Sequence, residues 1–122
     1  MNVKLKKMIP TILSVLLALP MILAGVAKLA GTPELHQSFE VMELPTWFGY
    51  FIGLCELAGG IGLLIPRLSA LAAIALMPIM LGAAYFHIAY DVPSALPALI
   101  FTFLATIIAS LRMKEGFWIS RT

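Results

Sequence analysis

Apolar residues in this chain fall into four long runs separated by short polar connections. The runs cover Met8 to Ala27, Trp47 to Ile65, Leu68 to Tyr90 and Val92 to Leu111. Each is close to the roughly 20 residues that an α-helix needs to cross the hydrocarbon core of a bilayer. The pattern predicts an all-α polytopic membrane protein, a four-transmembrane-helix bundle forming a single domain over 1–122. Pro10 and Pro20 lie inside the first run, Pro78 inside the third, and Pro93 and Pro97 in the first turns of the fourth. Neighbouring helices can satisfy the carbonyls that a proline frees in a membrane. Pro20 and Pro78 are therefore expected kinks, not ends.

The connection from Gly31 to Pro45 has a different pattern. Thr32 is suited to cap a helix, Pro33 to its first position and Glu34 to its positive end. Leu35, Phe39 and Met42 fall on one face, with His36, Glu40 and Glu43 on the other. This predicts a short amphipathic helix over about 33–43, between the first and second spans and resting on the membrane surface. It either covers a cavity mouth or simply bridges two spans.

Composition agrees with lipid as the solvent. The chain is 61% hydrophobic and 11% charged, with a mean hydropathy of +1.02; soluble domains carry roughly 25% charged residues. No basic cluster with interleaved aromatics is present, which excludes nucleic acid as an expected partner. Cys55 is the only cysteine, so no dithiol chemistry is available. His36 and His87 have no Cys or His at ligand spacing, and no metal site is expected. The chain itself carries no recognisable cofactor.

Charge placement gives a direction. Lys4, Lys6, Lys7, Arg67, Arg112, Lys114 and Arg121 lie at one end of the predicted bundle, seven of the eight basic residues. By the positive-inside rule that end is cytoplasmic, with both termini inside. Lys28 is the exception, and it shares its end with Glu34, Glu40, Glu43 and Asp91. A signal peptide is disfavoured because the first apolar run is long and more spans follow. Trp47, Tyr50, Tyr85 and Tyr90 near one face, and Phe117 and Trp118 near the other, resemble interfacial aromatic belts.

Glu56 stands out against this background. A carboxylate in the middle of a span costs a few kcal/mol or more, so such residues face a packed interior or a wet cavity and mark function by default. At about 100° per residue, Gly49, Gly53, Glu56 and Gly60 share an arc of about 60°. Small residues at this spacing let helix backbones approach, so Glu56 is expected to point into the bundle. At about 1.5 Å per residue it lies roughly 14 Å below Trp47, near the midplane.

Several groups are possible partners. Lys28 ends the first span and either reaches inward or snorkels to the interface. His87 either pairs with Asp91 or faces a cavity and exchanges protons with Glu56. Both fall nearer the ends of their spans than Glu56, so contact among all three requires tilt, a kink, a bridging water or a vestibule lined by Tyr50, Tyr85 and Phe86. Thr102, Thr106 and Ser110 stripe the fourth helix, where such hydroxyls mostly bond their own carbonyls. Cys55 points about 100° away from Glu56 and is expected to pack.

These residues carry a family resemblance. AGVAKLAG, from Ala24 to Gly31, is similar to a Gly-x-x-Lys-Leu pattern; CELAGGIGLLIPRLSALAA contains a Glu-x-x-Gly-Gly signature at Glu56, Gly59 and Gly60; and MLGAAYFHI ends in His87. In this order they resemble the DoxX-like family of small four-helix membrane proteins, specifically its shorter branch, from about Leu13 to Arg112. The resemblance implies a bacterial or archaeal cytoplasmic (inner) membrane and a link to membrane redox systems. The family's namesake is similar to a small subunit of an archaeal thiosulfate:quinone oxidoreductase. The wider group resembles methylamine-utilisation membrane proteins and the membrane part of vitamin-K-dependent carboxylase.

The reading that results is a small, non-autonomous oxidoreductase subunit binding a quinone or similar lipophilic molecule near Glu56. Glu56 and His87 would relay protons, and Lys28, Glu56, His87, Tyr50 and Tyr85 would line the ligand. Electrons would have to come from a partner protein or a bound cofactor such as the quinone. Two readings from other classes stand beside it: a scaffolding subunit in which Glu56 makes a structural bond, and a small proton-coupled transporter. The lipid bilayer is the expected environment, with a redox partner protein or a homo-oligomer as further partners.

Overall fold

The computed structural model describes residues 2–90 and 94–114. The expectations that involve Asp91, Phe117, Trp118 and Arg121 lie outside them. The order is α1 (Val3–Leu29), α2 (Pro33–Val41), α3 (Thr46–Leu63), α4 (Ser69–Ala89) and α5 (Leu96–Lys114). The chain is an all-α bundle in which α1, α3, α4 and α5 are each long and apolar enough to cross a membrane.

α1 starts before its apolar run because Asn2 caps it, its side chain accepting from the Leu5 amide at 2.8 Å. Helix continues through Pro10 and Pro20, and α4 likewise continues through Pro78. The end of α1 is fixed by backbone chemistry. Gly31 turns left-handed at φ 82. The Gly31 amide then donates to the Lys28 carbonyl at 3.0 Å and the Thr32 amide to that of Ala27 at 3.2 Å. This is a Schellman stop. Thr32 therefore acts differently from its expected cap role. Its hydroxyl donates to the Ala27 carbonyl at 2.9 Å, closing α1, and makes no side-chain cap for α2.

α2 ends in the same way without a glycine. Glu43 takes the left-handed position at φ 60, and the Glu43 and Leu44 amides donate to Glu40 and Phe39. α5 begins at Leu96, later than the predicted Val92. Ser94 lies before it with φ 49, and its hydroxyl accepts from the Leu96 amide at 3.2 Å.

The helices associate most extensively as α1 with α3 and α4 with α5. The first pair meets backbone to backbone. A Cβ at Gly25 would stand 2.6 Å from the Leu57 nitrogen, and one at Gly53 2.7 Å from Lys28 Cβ. Gly60 is equally tight against Ile22, at 2.7 Å. Glycine is required at these positions because any side chain would separate the helices. Leu17, Ala18, Met21, Leu63, Leu76, Met80 and Ile108 form the centre of the core.

Around this core the surface is apolar. Within the most hydrophobic window of each long helix, only 28–33% of residues are buried. Leu23, Ile88 and Phe103 are each at least 66% exposed. A water-soluble monomer rarely exposes so much contiguous apolar surface, and acyl chains are the solvent that suits it.

Polar contacts pin the end where α1 begins and α5 finishes. The hydroxyls of Ser14 on α1 and Ser69 at the start of α4 are buried and 3.0 Å apart. Arg112, only 6% exposed, donates to the Thr11 hydroxyl at 3.2 Å. Along α5, Thr102 and Thr106 donate to the carbonyls of Ala98 and Thr102 at 2.8 and 2.9 Å, as expected for membrane hydroxyls.

Candidate functional site

Glu56 is buried at 4% exposure, on the face of α3 that also carries Gly49, Gly53 and Gly60. Its Oε1 lies 2.8 Å from Lys28 Nζ, forming the only ion pair among the described residues. The side chains are 13% and 6% exposed for Lys28 and Glu56. For these two residues direct contact requires no vestibule and no bridging water. The tight approach at Gly25 and Gly53 brings α1 so close to α3 that the lysine stem, running from the last turn of α1, reaches the carboxylate. Of the two expected orientations for Lys28, it takes the inward one.

The backbone of the same lysine is also held. His36 Nε2 lies 2.8 Å from the Lys28 carbonyl oxygen. A carbonyl can only accept, so Nε2 carries the proton and donates. The imidazole packs against Gly49, where a Cβ would collide with the ring, and its centroid is 4.4 Å from that of Tyr50. This corrects the expectation that His36 lies on the solvent face with Glu40 and Glu43. A helix of nine residues with no fully buried side chain is docked by few contacts. The Lys28 carbonyl, which also accepts from the Gly31 amide, and a flat glycine surface give the imidazole both a hydrogen bond and packing.

Lys28, Glu56, Tyr50 and the unanticipated His36 thus form one connected set. His87 and Tyr85 sit on α4. His87 is half-buried and edge-on to Phe86, with centroids 5.8 Å apart. Phe86 in turn stacks on Tyr90 at 5.3 Å. Tyr85 is 62% exposed on the apolar surface. Cys55 is a free, half-buried thiol.

A cavity of about 470 Å³ opens beside α2, with walls that include Glu34, His36, Phe39, Glu40, Pro45 and Tyr50. It lies between α2 and α3, not among Tyr50, Tyr85 and Phe86. Among the described residues, no group of three or more His, Cys, Asp or Glu is placed to hold a metal ion.

Fold and site together define a small four-span integral membrane protein with a carboxylate–ammonium pair inside its bundle. The profile of the DoxX-like family matches residues 12–114, and the chain belongs to that family. No curated protein and no solved structure matches it.

Proposed function

We propose that the chain is a small subunit of a membrane redox system that binds a quinone or similar lipophilic molecule beside the Lys28–Glu56 pair. The supporting observation is the pair itself, 2.8 Å apart and almost fully enclosed. Two charges in hydrocarbon are costly to hold, and membrane proteins keep such groups mainly on proton, ion or ligand paths. The lysine is the more exposed partner. Its remaining N–H donors suit a quinone carbonyl, while the carboxylate is the natural group to exchange protons with it. His87 serves as a second proton carrier in this reading, and Tyr50 and Tyr85 border the ligand. Electrons come from a partner protein. The basic end faces the cytoplasm of a bacterial or archaeal inner membrane, so the pair opens toward the outer leaflet.

A second reading is favoured by the glycine contacts on both sides of the pair. There the ion pair only locks α1 to α3, and the protein organises a larger complex. The double variant Lys28→Met/Glu56→Gln distinguishes them, because it removes both charges and leaves no orphan. In nanodiscs the parent protein should bind a short-tailed quinone saturably, and the folded double variant should not. Oxidation of a reduced partner in membranes should fall in parallel. Unchanged quinone binding and turnover in the folded double variant would leave the scaffold reading standing.

A further inference from the structure

The cavity beside α2 shares only Tyr50 with the quinone reading, and the rest of its lining has its own chemistry. We infer that it is a binding site for an organic cation, an ammonium group carried on an apolar body.

The charge comes first. Glu34 and Glu40 both line the cavity, and neither carboxylate has a hydrogen bond or ion pair among the described residues. The lining contains no Lys or Arg. Lys28, whose carbonyl meets His36 of the lining, is already committed to Glu56. Glu43 is exposed close by, adding to the negative potential. An anion would be repelled here, and a neutral molecule without N–H or O–H donors would gain nothing from the carboxylates.

Geometry then separates an organic cation from a metal ion. Glu34 and Glu40 are six residues apart on one helix, about 9 Å along its axis. Carboxylates that ligate one calcium ion place their oxygens about 2.3–2.6 Å from it, and two on this spacing do not converge. A longer molecule spans the distance. The same lining holds rings: Phe39, His36 and Tyr50, the last two tilted at 38° with centroids 4.4 Å apart. Aromatic faces attract ammonium groups and accept the apolar body to which they are attached. The volume of about 470 Å³ falls in the range of small-molecule sites.

His36 links this cavity to the interior, because its imidazole lines the wall and donates to the Lys28 carbonyl. Occupancy of the cavity therefore bears on the segment that presents Lys28 to Glu56.

The test uses the full chain in phosphatidylcholine nanodiscs, titrated calorimetrically with benzyltrimethylammonium against empty nanodiscs. Saturable binding of one cation per chain is expected, with neopentylbenzene, its uncharged isostere, and benzenesulfonate showing none. Glu34→Gln and Glu40→Gln should each weaken binding at least five-fold, and Tyr50→Leu at least three-fold. Glu43→Gln, which removes the same charge from outside the cavity, should change it less than two-fold. These variants alter exposed side chains, and circular dichroism confirms that each is folded. No saturable cation binding, equal binding of benzenesulfonate, or an equal loss in Glu43→Gln would overturn the assignment.

Discussion

Breaking the Lys28–Glu56 pair one partner at a time should destabilise the bundle more than removing both charges together. Glu56→Gln keeps the shape of the side chain and leaves the ammonium of Lys28 facing an amide. Lys28→Met keeps the stem and leaves the carboxylate alone at 4% exposure. Two unit charges 2.8 Å apart attract by about 6 kcal/mol at an effective dielectric constant of 20. Desolvation of both groups offsets much of this, and measured losses on breaking buried pairs are about 3–5 kcal/mol. Lys28 is the more exposed partner and sits at a helix end, so it can withdraw toward the interface. Glu56→Gln should therefore fall near about 3 kcal/mol and Lys28→Met nearer about 5 kcal/mol.

The double variant buries two uncharged groups in the same space and should cost no more than the worse single change. The coupling in the cycle is then at least about 3 kcal/mol. Unfolding in mixed micelles of dodecyl maltoside and sodium dodecyl sulfate, followed by helical circular dichroism, measures all four proteins. Additive single effects, with coupling below about 0.5 kcal/mol, would refute the reasoning. They would mean that the two charges are solvated separately.

Other expectations follow from the helix contacts. Gly25→Val places atoms where the Leu57 backbone stands, 2.6 Å from the new Cβ, and should cost about 1–3 kcal/mol; Gly82→Ala, with nothing within 4 Å, should stay within about 0.5 kcal/mol. Glu43→Gly relieves a left-handed residue at φ 60 and should raise stability by roughly 1 kcal/mol, read from the same unfolding curve. His36→Ala removes the bond to the Lys28 carbonyl and should cost about 1 kcal/mol. Gly49→Ala clashes with the His36 ring in the parent, so it should be harmful alone and tolerated in the His36→Ala background.

Much of the bundle could be read from the sequence because membrane helices are dictated by length and apolarity alone. The glycine face of α3 was legible for the same reason: a period of about 3.6 residues places Gly49, Gly53 and Gly60 with Glu56, and these glycines do meet other helices. The direct reach of Lys28 to Glu56 was harder to see. It depends on how far the glycine contacts let α1 and α3 close, which is a tertiary quantity. His36 was placed on the wrong side for a related reason. In a nine-residue helix the apolar face is too short to outweigh one good hydrogen bond to a carbonyl in the last turn of α1.

At the other end, Arg112 has its burial written in the pattern of α5. It continues the buried stripe of Ala98, Ala105 and Ala109, so its burial follows from helical period. Ser14 similarly shares the buried stripe of Ala18, Met21 and Gly25. Its pairing with Ser69 depends on where α4 starts against α1, which no local pattern encodes.

The central claim is that a charged lysine from α1 meets a carboxylate of α3 inside the membrane-embedded bundle. Magic-angle-spinning NMR of the protein in lipid bilayers tests this directly, through the dipolar coupling between ¹⁵N-labelled Lys28 Nζ and ¹³C-labelled Glu56 Cδ. A nitrogen–oxygen contact of 2.8 Å places those two nuclei about 3–4 Å apart, and the coupling should be strong and persistent. A lysine nitrogen coupled to lipid phosphate, with no coupling to Glu56, would contradict the account.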